Sequence, residues 1–204
     1  EMCFQLQISN HSENYTSVTA LCLFCPSDSC PLTVDLNTVS TFLKRSDKNR
    51  KVTRVEEEQP YPDHPDRFDL CQLLCTDGLT GRSYWEVEWG GKVYISVSYR
   101  GINRKGANDD SWFGFNDKSW SLGYAVWHDC NKVFKCSSSS SSKVAVYVDC
   151  PAGTLSFYRV SAETLIHLHT FNTKFTEPLY PGFGFRNLLI YYKWNTNIVT
   201  LCEI

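Results

Sequence analysis

The amino-acid sequence predicts an all-β protein, a two-sheet antiparallel β-sandwich, and two observations support that prediction. Short segments in which apolar and polar residues alternate recur throughout residues 51–171, and turns rich in glycine and proline separate them. No stretch keeps a helical spacing of apolar residues over about three turns. Many short strands at regular spacing are typical of a β-sandwich. The 204 residues suffice for about one domain with a sizeable core.

The N-terminal residues 1–29 do not resemble the rest of the chain, and we expect a linker or a divergent segment there. In residues 30–43, apolar positions surround Asp35 and Asn37. Aspartate and asparagine favour the start of a helical turn because their side chains accept backbone N–H groups. The pattern therefore predicts a short extended entry followed by a helical turn.

The first clear strand is predicted at residues 51–56, where apolar and polar side chains alternate strictly. Three prolines follow at positions 60, 62 and 65. Proline lacks the backbone N–H that a sheet requires, so this stretch is predicted to be an open loop.

Further strands are predicted wherever the alternation returns. Residues 84–89 and 93–99 alternate clearly, and Gly90 and Gly91 between them favour a tight turn. The serine run at 137–142 has no apolar side chain to pack and favours a flexible loop. The remaining predicted strands are 120–122, 124–127, 143–149, 154–160, 166–171, 188–192 and 198–202.

Composition and charge argue against several function classes. Charged residues make up 21% of the chain and aromatic residues 14%, which is typical of a globular protein. The net charge of -2 argues against a nucleic-acid partner, which requires a basic surface. No apolar run reaches the roughly 20 residues that span a bilayer. The short apolar run at 18–25 lacks the basic segment that precedes it in a signal peptide. We therefore expect a cytoplasmic chain that does not insert into a membrane.

Ten cysteines are present, and their spacing is irregular. Cys22 and Cys25 form a lone C-x-x-C motif, without a second pair or a histidine at zinc-finger spacing. No βαβ pattern surrounds the motif as in a thioredoxin-like redox site. We expect reduced, partly buried thiols and no cofactor. A disulfide framework of a secreted domain is the alternative.

No catalytic motif is recognisable in the sequence. His167 and His169 are two positions apart on a predicted strand, so both imidazoles would lie on one face and could ligate a metal. No carboxylate or third histidine is close in sequence, which favours exposed polar positions instead. A metal-dependent enzyme using these two side chains is the lesser alternative to a protein that is not an enzyme.

Six tryptophans are many for a chain of this size. Trp85 and Trp89 alternate with the charged Glu86 and Glu88 and are predicted to face the core, as is Trp120. Tyr124 and Trp127 lie beside loops rich in glycine, asparagine and aspartate. Aromatic side chains on the loops of a rigid sandwich provide recognition area at low entropic cost. The alternative is that Tyr124 and Trp127 also belong to the core.

Three separated motifs occur in the order found in the B30.2 (PRY-SPRY) family. Residues 82–88 resemble its tryptophan-glutamate-valine block, with the sequence Arg-Ser-Tyr-Trp-Glu-Val-Glu. Residues 148–158 resemble its leucine-serine-phenylalanine-tyrosine block, and residues 178–183 its proline-leucine-tyrosine-proline-glycine-phenylalanine block. Residues 31–58 are similar to the PRY half of the family.

The resemblance implies one B30.2 domain, with a PRY segment at residues 30–82 and a SPRY segment at 83–204. Residues 1–29 match nothing in the family. Runs 61–68 and 116–122 are similar to fish members of the family. These members include NACHT receptors, tripartite-motif ligases and the C-terminal domain of stonefish-type cytolysins.

In this family, variable loops at one side of the sandwich form the ligand surface. Carried over by position, these loops are residues 61–68, 100–110, 123–129 and 185–187. The resemblance thus implies the protein-binding residues Tyr61, Asp63, Arg67, Tyr124, Trp127 and Phe185.

The function implied is that of a non-catalytic module that recognises a protein or peptide through these variable loops. The resemblance places it at the C-terminus of an innate-immune sensor or a ubiquitin ligase. A domain of a secreted toxin-like or butyrophilin-like protein is the alternative. Glycosylation at Asn10 or Asn14 would favour that alternative.

Overall fold

The computed structural model describes residues 9–10, 16–19, 25–106, 108–135, 142–161, 164–186 and 197–202. Within these ranges, fifteen strands form two antiparallel sheets, as the alternation predicts. The strands, numbered in chain order, are β1 (Ser9–Asn10), β2 (Thr16–Thr19), β3 (Leu43–Ser46), β4 (Lys51–Arg54), β5 (Gln72–Leu74), β6 (Arg82–Gly90), β7 (Val93–Tyr99), β8 (Ser119–Leu122), β9 (Ala125–His128), β10 (Asn131–Lys135), β11 (Lys143–Asp149), β12 (Thr154–Ser161), β13 (Thr164–Asn172), β14 (Leu179–Phe185) and β15 (Ile198–Leu201).

The larger sheet has the order β1-β2-β13-β12-β11-β6-β15-β4-β3, and the smaller has the order β10-β9-β8-β7-β14-β5. Alternation fixes which side chains enter the space between the sheets. In β6, Trp85 and Val87 are buried in the main core, and Trp85 lies opposite Val146 of β11. In β7, Val93, Ile95 and Val97 enter the same core. A one-residue slip of either strand would turn these side chains outward, so burial specifies the register.

The segment before β6 contributes to both sheets. β3 and β4 extend the larger sheet because β4 pairs with β15, whereas β5 pairs with β14 of the smaller sheet. The helical turn predicted near Asp35 is a single turn, in which the Asp35 Oδ1 accepts the Asn37 N–H at 3.1 Å. The short strands β3, β5 and β10 were not predicted, since three to five residues give little alternation to detect.

The described part of residues 1–29 contacts the larger sheet. β2 pairs with β13 and so joins the larger sheet. Ser29 bridges Tyr84 of β6, and the Cys30 N–H donates to the Tyr84 carbonyl at 2.9 Å.

Two predictions fall wholly or mostly on residues outside the described ranges. They are the strand at 188–192 and the flexible loop over the serine run, of which only Ser142 is described. The predicted strand at 198–202 is confirmed as β15. No helix in the described ranges is long and apolar enough to cross a bilayer.

A long connection between β7 and β8 packs on the outer face of the smaller sheet. Its anchor is Phe113, which is fully buried beside Phe68 at 5.6 Å between ring centroids. Glycines in β14 leave room for the ring, since a Cβ at Gly182 would lie 2.8 Å from the Phe113 Cζ. The connection is therefore a packed layer over the sheet, and it carries part of the site described next.

Candidate functional site

Four aromatic rings and one guanidinium form a continuous cluster on the outer face of the smaller sheet. We call this cluster the aromatic surface, and it consists of Tyr94, Phe115, Tyr124, Trp127 and Arg186. Phe115 and Trp127 stack with centroids 4.9 Å apart, and Tyr124 meets Trp127 edge-on at 5.6 Å. Tyr94 approaches Phe115 at 6.3 Å and Tyr124 at 6.5 Å. These separations are those of favourable offset and edge-to-face aromatic pairs.

The β8–β9 hairpin presents two of these rings. Tyr124 lies in the turn after Leu122 and is 58% exposed, the largest exposed fraction among the large apolar and aromatic side chains of the described residues. Trp127 lies on β9 opposite Ser121 and is half-buried. The next turn holds Asp129 and Cys130 at φ values of 49° and 60°, the left-handed conformation of a type I′ hairpin. A tight hairpin on either side of β9 fixes where Trp127 points.

Gly114 allows the connection to approach β8 and β9 closely enough for Phe115 to reach Trp127. Its φ is +83°, and a Cβ there would lie 2.1 Å from the Ser121 Oγ and 2.9 Å from the Trp127 Cβ. The Gly114 N–H donates to the Ser119 Oγ at 2.8 Å. Only glycine fits at this position, because it has no Cβ to overlap Ser121 or Trp127 and adopts a positive φ without strain.

Buried polar side chains hold the same connection in place. The Asn116 Nδ2 donates to the Trp112 carbonyl at 2.7 Å, and its Oδ1 accepts the Ser119 hydroxyl at 2.8 Å. The fully buried Gln72 donates through Nε2 to the Ser111 carbonyl at 2.6 Å. Satisfied buried networks of this kind rigidify a loop. The aromatic surface is therefore preformed rather than assembled from mobile loops.

Arg186 follows β14 and completes the surface. Its guanidinium carbon lies 5.2 Å from the Phe115 centroid and 5.8 Å from that of Trp112, distances typical of cation–π contacts. Its Nη1 donates to the Tyr94 Oη at 3.3 Å. Burial raises the pKa of the Tyr94 phenol, and the bond from Arg186 opposes that shift. The phenol consequently stays neutral at physiological pH.

A pocket of about 460 Å³ opens beside the aromatic surface. This volume is in the range that small ligands or a few peptide side chains occupy. Its lining is Trp89, Gly91, Lys92, Val93, Tyr94, Tyr124 and Arg186.

Of the six side chains implied by the family resemblance, the structure brings together Tyr124 and Trp127. Tyr61 is half-buried, and its hydroxyl donates to the Leu43 carbonyl at 2.8 Å, on the side of the larger sheet. Asp63 is exposed. No ring contact or hydrogen bond between described residues joins Tyr61 or Asp63 to the aromatic surface.

Arg67 and Phe185 are buried, which corrects the prediction that their side chains are available to a ligand. Arg67 is 7% exposed and donates to the carbonyls of Pro62, Leu36 and Val39. It therefore binds its own loop to the preceding segment. Phe185 is fully buried in the main core, because inward positions of β14 alternate from Leu179 to Phe185.

Sequence reasoning missed Arg186, Tyr94 and Phe115 as site residues. Alternation could have identified the first two. Arg186 follows an inward Phe185, and Tyr94 lies between the inward Val93 and Ile95, so both face outward. Phe115 carries no comparable signal, because its contact with Trp127 depends on the path of the β7–β8 connection.

Of the three tryptophans predicted to face the core, Trp85 and Trp120 do so, whereas Trp89 is half-buried, packs against the core and also lines the pocket. Trp85 and Trp120 are 1% and 2% exposed, and Trp120 stacks on His128 with centroids 4.7 Å apart. Tyr124 and Trp127, for which a core position was the alternative, lie on the outer face instead.

His167 and His169 do not share a face, contrary to the expectation. A bulge shifts the register between Phe157 and Tyr158, so His167 lies opposite Tyr158 and His169 opposite Phe157. Phe157 belongs to the main core, whereas Tyr158 packs on the outer face of the larger sheet. The described residues contain no group of three or more His, Cys, Asp and Glu side chains that could hold a metal. Seven cysteines in the described ranges are free thiols.

Comparisons with known proteins agree with this architecture. A family model described as the SPRY-associated domain matches residues 32–79, and the SPRY domain model matches residues 82–195. The chain is 44% identical over 162 residues to stonustoxin subunit beta of Synanceia horrida, covering 76% of this chain and 23% of the relative. It is 37% identical over 164 residues to tripartite motif-containing protein 16 of Mus musculus, covering 76% and 29% respectively.

The fold has a close counterpart among solved structures. The PSpry domain of TRIM65 superimposes with a TM-score of 0.76 at 23% identity, covering 89% of this chain and 97% of that domain. The chain spans about a quarter of the length of the full-length relatives to which it is similar. The matches to both halves confirm the resemblance seen in the sequence, and the chain belongs to the B30.2 (PRY-SPRY) family.

Proposed function

We propose that this chain is a non-catalytic recognition module that binds a protein or peptide ligand on the aromatic surface. SPRY domains are in general interaction modules rather than enzymes. The observation that carries the proposal is the exposed Tyr124, held against Trp127 on a scaffold of tight hairpins and buried hydrogen bonds. Rigid, partly exposed aromatic side chains are the commonest anchors of protein interfaces.

The module serves a larger protein in this proposal. Its full-length relatives are three to four times longer than the matched segment, which supports a role as one domain among several. We infer a cytoplasmic parent, an innate-immune sensor or a ubiquitin ligase, in which this domain selects the target. The free thiols of the described cysteines support a reducing compartment.

Affinity capture tests the proposal. The full 204-residue chain and its Tyr124→Ala/Trp127→Ala variant are immobilised and exposed to lysate from cells of the source organism, and captured proteins are quantified by mass spectrometry. We expect at least one protein that the wild type retains and the double variant loses.

The matched control is Leu36→Ala, which removes a 46% exposed apolar side chain beside β5, at the other edge of the smaller sheet from β9 and β10. This variant should retain the partner. Thermal unfolding of each variant establishes that the fold persists. Equal capture by the folded double variant would place the binding site elsewhere and overturn the proposal.

A domain of a secreted toxin-like protein is the second candidate, and the 44% identity to a stonustoxin subunit favours it. Removal of N-glycans from the protein isolated from its own tissue discriminates the two. A mass shift at Asn10 or Asn14 would establish secretion, and an unshifted mass with free thiols would support the cytoplasmic parent.

A further inference from the structure

The pocket beside the aromatic surface carries two positive charges. Lys92 is exposed at its rim, and Arg186 is half-buried along its wall. The backbones of the two residues are linked, since the Arg186 N–H donates to the Lys92 carbonyl at 3.1 Å, and the Lys92 N–H donates to the Asn197 Oδ1 at 2.8 Å. The two cations therefore belong to one small region of the surface.

Neither cation is neutralised within the described residues. No carboxylate there lies within 4.0 Å of Lys92 or Arg186, although other arginines in those residues, such as Arg100, have such partners. A half-buried guanidinium without a counter-ion favours an anionic ligand, because a ligand carboxylate would supply the missing opposite charge.

The Arg186 side chain also keeps hydrogen-bond donors that no group in the described residues accepts. Within the described residues, the Arg186 side chain makes one hydrogen bond, from Nη1 to the neutral Tyr94 phenol. The other N–H groups of the guanidinium are therefore available to a ligand. Its contacts with Phe115 and Trp112 restrict the guanidinium plane, and a fixed plane suits bidentate binding of a carboxylate.

We propose that the aromatic surface recognises a peptide segment in which an Asp or Glu side chain stands next to an apolar or aromatic one. The carboxylate pairs with Arg186, with Lys92 at the rim, and the apolar side chain packs on Tyr124 and Trp127. This inference rests on the proposed function and specifies the chemistry of the ligand.

A displayed library of random linear peptides tests the inference directly. The library is selected on the wild-type chain, and the enriched peptides are then synthesised for titration by fluorescence anisotropy. We expect enrichment of Asp or Glu within two positions of a large apolar residue. Changing that acid to its amide, or Arg186→Gln in the protein, should each weaken binding by about tenfold, and the two changes together should weaken it little further.

Two further variants separate charge from folding. Arg186→Lys keeps the positive charge but not the planar fork, and it should bind with intermediate affinity. Leu36→Ala should bind like the wild type. Near-ultraviolet circular dichroism identifies any variant in which the packing of the aromatic rings has changed.

The possible outcomes distinguish the inference from the function on which it rests. Enriched peptides that require Tyr124 but carry no acid, or that bind Arg186→Gln as well as wild type, would overturn the inference and leave the recognition site standing. Peptides that bind Tyr124→Ala as well as wild type would overturn both. Selection of no peptide above a control protein would overturn the inference, because it requires a linear acidic segment.

Discussion

At position 114 the backbone has a φ of +83°, and the space that a side chain would fill is taken by Ser121 and Trp127. A Gly114→Ala substitution therefore combines an unfavourable backbone conformation with a steric overlap. We expect it to lower the free energy of unfolding by about 2 kcal/mol, which corresponds to roughly 4–8 °C in Tm. Thermal unfolding measures the change, and near-ultraviolet circular dichroism should report altered packing at Trp127.

Gly81→Ala is the matched control, since a Cβ at Gly81 would meet no atom within 4 Å. It should leave Tm nearly unchanged. A Gly114→Ala variant as stable as this control would show that the close approach of the connection to β9 is not required.

Single residues also show where sequence reasoning reaches its limit. The exposure of Tyr124 follows from its place in a short turn, and the burial of Trp85 from alternation. Arg67 stands in a loop of proline and aspartate and so was predicted to be exposed. It is buried because the carbonyls of Leu36 and Val39, about thirty positions earlier, approach its guanidinium. No local pattern encodes such a non-local set of acceptors.

The bulge in β13 changes the environment of two histidines. His167 lies on the outer face and shares a 2.7 Å hydrogen bond with the Thr170 hydroxyl. His169 lies on the inner side, with its ring 4.6 Å from that of Phe171. Burial lowers the pKa of both imidazoles below the ordinary value of 6.5, with the charge of His167 contributing to the shift at His169.

These shifts predict how stability depends on pH. Both histidines bind protons more readily in the unfolded chain than in the folded one, so their contribution is fully present above pH 6.5 and is lost as pH falls through the lowered values. The free energy of unfolding should therefore decrease from about pH 7.5 to about pH 5.5. Urea unfolding at a series of pH values measures the slope, and His167→Gln/His169→Gln should flatten it. An unchanged slope in that variant would contradict the assignment.

Strands with long alternation were predicted, whereas several short ones, such as β3, β5 and β10, were not. β6, β7, β11 and β12 each show seven or more residues with the inward positions apolar, and all four were predicted. β5 has three residues that are all buried, because the β7–β8 connection covers its outer face. Its pattern resembles neither a half-exposed strand nor a helix. Alternation assumes that residues two positions apart in a strand face the same side of the sheet. Within β13, the bulge breaks this rule for His167 and His169.

The whole molecule is organised so that its PRY and SPRY segments share both sheets. β4 pairs with β15 near the end of the chain, and β5 pairs with β14, so the PRY strands complete the larger and the smaller sheet respectively. Neither segment retains a complete sandwich without the other. The sequence motifs predicted one B30.2 domain. The strands that the two segments share in both sheets explain why they would fold as one domain.

We therefore expect one cooperative unfolding transition. Tryptophan fluorescence, which reports on the core, and far-ultraviolet circular dichroism, which reports on both sheets, should give the same midpoint in urea. Two separate midpoints would mean that the PRY strands dissociate before the SPRY strands unfold.

We propose that a ligand protein binds at the aromatic surface. Photo-crosslinking tests it most directly, with a benzophenone amino acid in place of Tyr124 in one variant and in place of Leu36 in another. Both positions are exposed, and they lie near different edges of the smaller sheet. On irradiation in cells, position 124 should give a covalent adduct with a defined protein, and position 36 should not give that adduct. The same adducts from both positions, or an adduct from position 36 alone, would contradict the account.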